Sequence, residues 1–152
     1  HQHLSAQLQD HTLRRTYECI VRGGFREDCG TVDAPIGRHP VDRKRMAVTE
    51  KNSREAVTHW EVLERFGQYT YLRCRLETGR THQIRVHMAY INHPIAGDPL
   101  YGIKKPELGL TSQCLHAREL TFVHPRTGET CTVSCPLPDE FQAALDRLRG
   151  GV

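Results

Sequence analysis

The feature that most constrains the fold is a pair of strand-like runs, Glu55 to Phe66 and Gln68 to Leu76, parted only by Gly67. Both are rich in Val, Thr, Trp, Tyr and Leu, which suit a pleated, half-buried surface, and a glycine break between two such runs predicts a hairpin. In the second arm Thr70, Leu72, Cys74 and Leu76 alternate with Tyr69, Tyr71, Arg73 and Arg75. Successive strand side chains point to opposite faces, so one face is apolar and the other interleaves aromatic and basic groups. Either a nucleic acid or solvent can meet that second face.

The remaining pattern extends this hairpin into a sheet. From Arg15 to Val21 a strand is predicted with Tyr17, Cys19 and Val21 on one face, ending in a Gly23-Gly24 turn. Residues 25 to 54 hold Gly30, Pro35, Gly37 and Pro40 among charges, which predicts a long excursion with short strands around Val32 and Met46 to Val48. Cys114 to Phe122 and Glu129 to Cys135 read as a second strand pair. Leu4 and Leu8 predict a helix that is already under way where the chain opens, without a cap. Thr81 is expected to cap a helix running to Asn92, before His93-Pro94, and Phe141, Ala144, Leu145 and Leu148 predict a closing helix after Pro138. Strand pairs with interspersed helices and no βαβ repeat predict an α+β fold with a mixed, mainly antiparallel sheet and flanking helices. No composition shift divides residues 1–152, so one domain is expected.

The net charge of +3 is modest, but its distribution is uneven. Between Arg38 and Arg54 six basic residues (Arg38, Arg43, Lys44, Arg45, Lys51, Arg54) face two acids, Asp42 and Glu50, a local charge of +4. Such a stretch is either a solvated loop or an anion-binding surface. No apolar run approaches the roughly 20 residues of a membrane span. The six cysteines include no C-x2-C pair, which fits reduced thiols in a cytoplasmic protein. Cys131 and Cys135 have no matching Cys/His pair, and His82 and His87 stand about 140° apart around a helix, so no metal site is expected. Phosphate-loop, dinucleotide, nucleophile-elbow and zincin patterns are all missing.

Arg85 borders the stripe formed by Ile84, Met88 and Ile91 on the expected helix. A guanidinium in that position needs an anion, in a structural ion pair or in an active site. Asp98, in Gly97-Asp98-Pro99-Leu100-Tyr101-Gly102, is either that partner or the shaper of a turn.

The runs Leu76-Glu77-Thr78-Gly79-Arg80-Thr81-His82-Gln83-Ile84-Arg85-Val86-His87 and His93-Pro94-Ile95-Ala96-Gly97-Asp98-Pro99-Leu100-Tyr101-Gly102 resemble the signature of RluA-type pseudouridine synthases. Arg15-Thr16-Tyr17, Gly30 to Ile36 followed by Arg38-His39-Pro40, and Leu115-His116-Ala117 extend the resemblance, which is greatest to the ribosomal RluD-like branch. It implies a cofactor-free isomerase that detaches uracil from ribose and rejoins it through carbon, using a nucleophilic aspartate. In that family the aspartate lies in a His-Arg-Leu-Asp motif before the segment matching Arg15-Thr16-Tyr17. These 152 residues contain no such motif, so the resemblance implies the C-terminal part of a catalytic domain, inactive by itself. By the same resemblance Tyr17 lies against the target base and Arg85 pairs with the nucleophilic aspartate. RNA contacts are expected from Arg38, Arg43, Lys44 and Arg45, from Arg73 and Arg75, and from Arg80 and His82 near the site mouth, while His116 and Asp98 are expected to be architectural. The implied partner is ribosomal RNA, with transfer RNA as the alternative target and a non-catalytic RNA-binding module as the rival reading.

Overall fold

A computed structural model describes residues 14–150; the helix expected at the start of the chain lies outside them. Strands β1 (Arg14–Arg22), β2 (Cys29–Asp33), β6 (Val57–Arg65), β7 (Tyr69–Leu76), β8 (Leu115–Val123) and β9 (Thr130–Ser134) form a six-stranded sheet in the order β2-β6-β7-β1-β8-β9. The short strands β3 (Ile36–Arg38), β4 (Met46–Val48) and β5 (Ser53–Arg54) form a separate sheet in the order β4-β3-β5. Every pairing between named strands among the described residues is antiparallel. Helices α1 (Gln83–Tyr90) and α2 (Asp139–Leu148) complete the α+β fold.

The expected hairpin at Gly67 is β6–β7, and β1 inserts on its other side with Tyr17 opposite Cys74 and Cys19 opposite Leu72. Residues directly opposite share a face. Cys19, Leu72 and Cys74 therefore form an apolar surface, and Ile84 and Met88 of α1 belong to the same buried cluster. On the reverse face Phe141 of α2 meets Tyr71 edge to face, with ring centroids 5.9 Å apart.

That reverse face also buries Glu18, which is 2% exposed. Its carboxylate accepts from the Tyr71 hydroxyl and from Arg73 Nη2 at 3.1 Å. A buried carboxylate is tolerated only when paired and hydrogen-bonded; alternate residues of β7 supply these two partners, and Arg118 Nε of β8 lies 3.5 Å away. A register irregularity between Thr16 and Tyr17 interrupts the β1–β8 ladder, so Thr16 faces Glu119 while Tyr17 faces Ala117.

The start of α1 differs from the expectation. The cap is His82, in the left-handed conformation at φ 56°, not Thr81, and the helix ends at Tyr90 rather than Asn92. The reason is the neighbouring Gln83, which is buried. Its Oε1 accepts from Thr78 Oγ1 at 2.7 Å and from Arg80 N at 3.0 Å, and its Nε2 donates to Val57 O and Thr58 Oγ1, each at 3.0 Å. Those four bonds staple residues 78–83 to β6, which outweighs the local preference of Thr81 for capping.

The small sheet has its own core. Ile36, Ala56 and Val86 form a second buried cluster, closed by Met46, Val48 and Tyr101.

Candidate active site

Strand β1 and helix α1 converge at the end of the main sheet, where a cleft of about 390 Å³ is lined by Tyr17, Leu76, Arg80, His82, Arg85 and Leu115. Tyr17 and Arg85, far apart in the chain, thus share one cleft with Arg80 and His82. Tyr17 reaches it because the β1 alternation places it on the face covered by α1, at the strand end that the helix leaves open.

The Arg85 side chain is 12% exposed and forms a bidentate pair with the fully buried Asp98, Nε to Oδ2 and Nη2 to Oδ1, both 2.8 Å. Asp98 Oδ1 also accepts from the Leu100 and Tyr101 amides at 2.9 and 3.0 Å. The two roles open for Asp98 in the sequence are therefore held together: it is the ion-pair partner and the shaper of the turn. Burial pushes its carboxyl up, but the Arg85 guanidinium and the two amides outweigh this and hold it below the ordinary carboxylate value. In the opposite sense, the hydrogen bond to Asp98 raises the Arg85 pKa against the cost of burial. Arg85 Nη1 has no hydrogen-bond partner among the described residues, so one amino group of the fixed guanidinium is spare.

Sequence reasoning missed Tyr101, although it lies in one of the two long runs. Its hydroxyl accepts from the Met46 amide at 2.9 Å and lies 2.8 Å from His82 Nδ1. Its ring has the guanidinium carbons of Arg85 and Arg45 at 5.1 and 5.8 Å from its centroid. Cation–π contact reaches to about 6 Å, so one tyrosine ties the basic excursion to the cleft. Burial and the Arg85 charge lower the His82 pKa, which favours a neutral imidazole there.

The other expected RNA contacts fall into two groups. Arg38, Arg43 and Lys44 are exposed around β3–β4, and Arg38 Nη1 donates to Arg43 O at 3.0 Å. Arg73 and Arg75 lie on the reverse face, apart from the cleft. Arg73 is committed to Glu18, with Glu61 3.9 Å away, and the Tyr69 hydroxyl donates to Glu107 at 2.7 Å. The free aromatic and basic face read from β7 is thus reduced to Arg75, which is exposed. His87 is fully buried; Nε2 is 2.8 Å from Ala34 O and Nδ1 2.8 Å from Thr58 Oγ1. A carbonyl only accepts, so Nε2 carries the proton and both nitrogens are engaged. Among the described residues no group of three His, Cys, Asp or Glu side chains is arranged to hold a metal ion.

The overall fold is shared with solved structures. "Human RNA Pseudouridylate Synthase Domain Containing 4" superposes with a TM-score of 0.77 at 26% identity, over 95% of this chain and 66% of that one. "Human RNA Pseudouridylate Synthase Domain Containing 1" gives 0.75 at 24% identity, over 97% and 70%. The fold is that of a pseudouridylate synthase domain.

The family model described as RNA pseudouridylate synthase matches residues 1–90. The chain belongs to that family. It is 50% identical over 149 residues to the "Uncharacterized RNA pseudouridine synthase YlyB" of Bacillus subtilis, covering 98% of this chain and 48% of the relative. It is 48% identical to the "Ribosomal large subunit pseudouridine synthase D" of Nitrosomonas europaea, covering 96% and 44%. The chain spans about half the length of the curated relatives it matches.

Proposed function

We propose that this chain supplies the base-binding half of the active site of a cytoplasmic RNA pseudouridine synthase acting on large-subunit ribosomal RNA. The observation that carries the reading is the meeting of Tyr17 and Arg85 in one cleft beside the basic excursion. Isomerisation breaks the C1′–N1 bond of uridine and forms C1′–C5; N1 gains a proton and C5 loses one. Tyr17 offers a face for stacking a flipped uracil. The spare Nη1 of Arg85 is the donor available to a nucleophilic carboxylate, and Asp98 holds the guanidinium in place for it. Arg80 and His82 stand at the mouth, and Arg38, Arg43, Lys44 and Arg45 contact the RNA backbone through the arm that Tyr101 anchors.

Inactivating the gene in its host and mapping pseudouridine across total RNA tests the reading. Loss at one or a few large-subunit ribosomal positions, restored by the wild-type gene but not by Arg85→Met, is the expected result. Loss confined to transfer RNA assigns the alternative substrate. An unchanged map overturns the enzymatic reading in favour of a non-catalytic RNA-binding module.

A further inference from the structure

Of the cations at the cleft, Arg85 is paired with Asp98 and Arg80 Nε donates to Glu55 O at 2.7 Å. Arg15 is different. Its side chain makes no hydrogen bond or ion pair among the described residues, and its Nη2 is buried without a partner. An enclosed charged donor without an acceptor is costly, and such a group calls for an explanation. Arg15 lies against Gly79, where a Cβ would come within 2.2 Å of Nη2, so this approach requires glycine.

Arg15 and Leu76 also line a second groove, of about 670 Å³, together with Arg14, His59, Arg75 and Glu77. Thr16 and His59 both stand opposite Arg75, which places this groove on the reverse face of the sheet from Tyr17. Glu77, the acid of the groove, is held by His59 Nε2, while Arg14, Arg15 and Arg75 have no acidic partner among the described residues. Three unpaired arginines around one groove favour a polyanion over a single small anion, since each gains by a separate phosphate.

We infer that the RNA strand leaves the Tyr17 cleft past Arg15 and continues along the Arg14–Arg75 groove on the opposite face of the sheet, with Arg15 binding the phosphate at the crossing. The inference rests on the RNA reading above and adds a path that reading does not contain. The partner is single-stranded, because a strand that bends around the ends of the central strands β1 and β7 from one face of the sheet to the other cannot stay in a stiff duplex.

The test is binding of a short fluorescein-labelled oligouridylate to the 152-residue chain across a salt series. Arg15→Met should weaken binding about tenfold or more and lower the log–log salt slope by about 0.7, the contribution of one single-strand phosphate contact. Arg75→Met should lower the slope in the same way. Gly79→Ala keeps every charge but pushes the Arg15 guanidinium aside, and should reproduce the Arg15→Met loss with an unchanged circular dichroism spectrum. Arg26→Met, beyond the other end of β1, removes equal charge and serves as the reference. The path is overturned if Arg15→Met matches Arg26→Met, if Gly79→Ala binds as wild type does, or if the wild-type chain does not bind. The first two results leave the enzymatic reading standing, because the host pseudouridine map decides that separately.

Discussion

Asp98→Asn tests the structural centre of the site. The carboxylate accepts two bonds from Arg85 and one each from the Leu100 and Tyr101 amides. Asparagine keeps the volume and one acceptor oxygen, so the two amide bonds can survive. Its other terminus becomes an NH2, which has only donors to set against Arg85 Nε, and the guanidinium keeps its charge with its side chain 12% exposed. Removing one partner of a buried ion pair costs about 3–5 kcal/mol. Arg85 lines an open cleft where water can reach its remaining amino group, so the lower end, about 3 kcal/mol, is expected. For a chain of this size that corresponds to a fall in Tm of roughly 6–12 °C. Urea unfolding followed by the fluorescence of the single tryptophan, Trp60, which packs against Phe25 at 4.7 Å between centroids, reads the loss. Arg85→Met should also destabilise, partly relieved by protonation of Asp98. Combining the two leaves no uncompensated charge, so the double variant should lose less than the sum of the singles, by about 1–3 kcal/mol. Additive losses, or an Asp98→Asn cost below about 0.5 kcal/mol, would refute the argument.

Three further outcomes are expected. Burial lowers the His87 pKa despite the Ala34 carbonyl, so the folded protein takes up this proton less readily than the unfolded chain. Stability should therefore be at its full value above about pH 6.5 and decline below it; His82 acts in the same direction, and His87→Gln should flatten the decline in urea titrations at stepped pH. Gly97 has φ 77° and a Cβ there would meet Ser112 O at 2.4 Å, so Gly97→Ala should cost about 1–3 kcal/mol in thermal unfolding. Tyr17→Ala should weaken oligouridylate binding by about 5- to 150-fold, equivalent to one lost stacking contact of about 1–3 kcal/mol, with the salt slope unchanged. A changed slope with unchanged affinity at low salt would remove Tyr17 from base stacking.

Much of this arrangement can be read from the chain because it depends on period and punctuation. The Gly67 hairpin, the Tyr17/Cys19/Val21 face and the position of Arg85 at the edge of a buried stripe all follow from counting residues along one element. What period cannot supply is the identity of the group across the gap. Arg73 looked available to RNA because its own strand shows only tyrosine and arginine on that face; Glu18, 55 residues away, claims it through a strand pairing that alternation alone does not place. Thr81 looked like a helix cap because capping rules are local, whereas Gln83 is anchored by bonds to β6 that lie outside any local window. Tyr101 and Arg15 both stood inside recognised runs. Their roles rest on a ring contact to Arg45 and on the lack of any partner, and neither of these is a sequence property.

The separate core of the small sheet sets a dynamic boundary. Ile36, Ala56 and Val86 are few residues to hold three short strands, and they form a cluster joined to the one that buries Cys19 and Leu72 only through the half-buried Val48, which packs against both. Opening the β3–β5 arm therefore exposes little apolar surface and leaves the six-stranded sheet intact. The arm is expected to open as a low-stability unit, its amides exchanging with solvent before those of β1 or β7 do. The Met46 amide, held by the Tyr101 hydroxyl, reports that event. On the RNA reading proposed above, a basic arm that opened locally over a closed sheet would admit a folded RNA that a fixed cleft would exclude by its bulk.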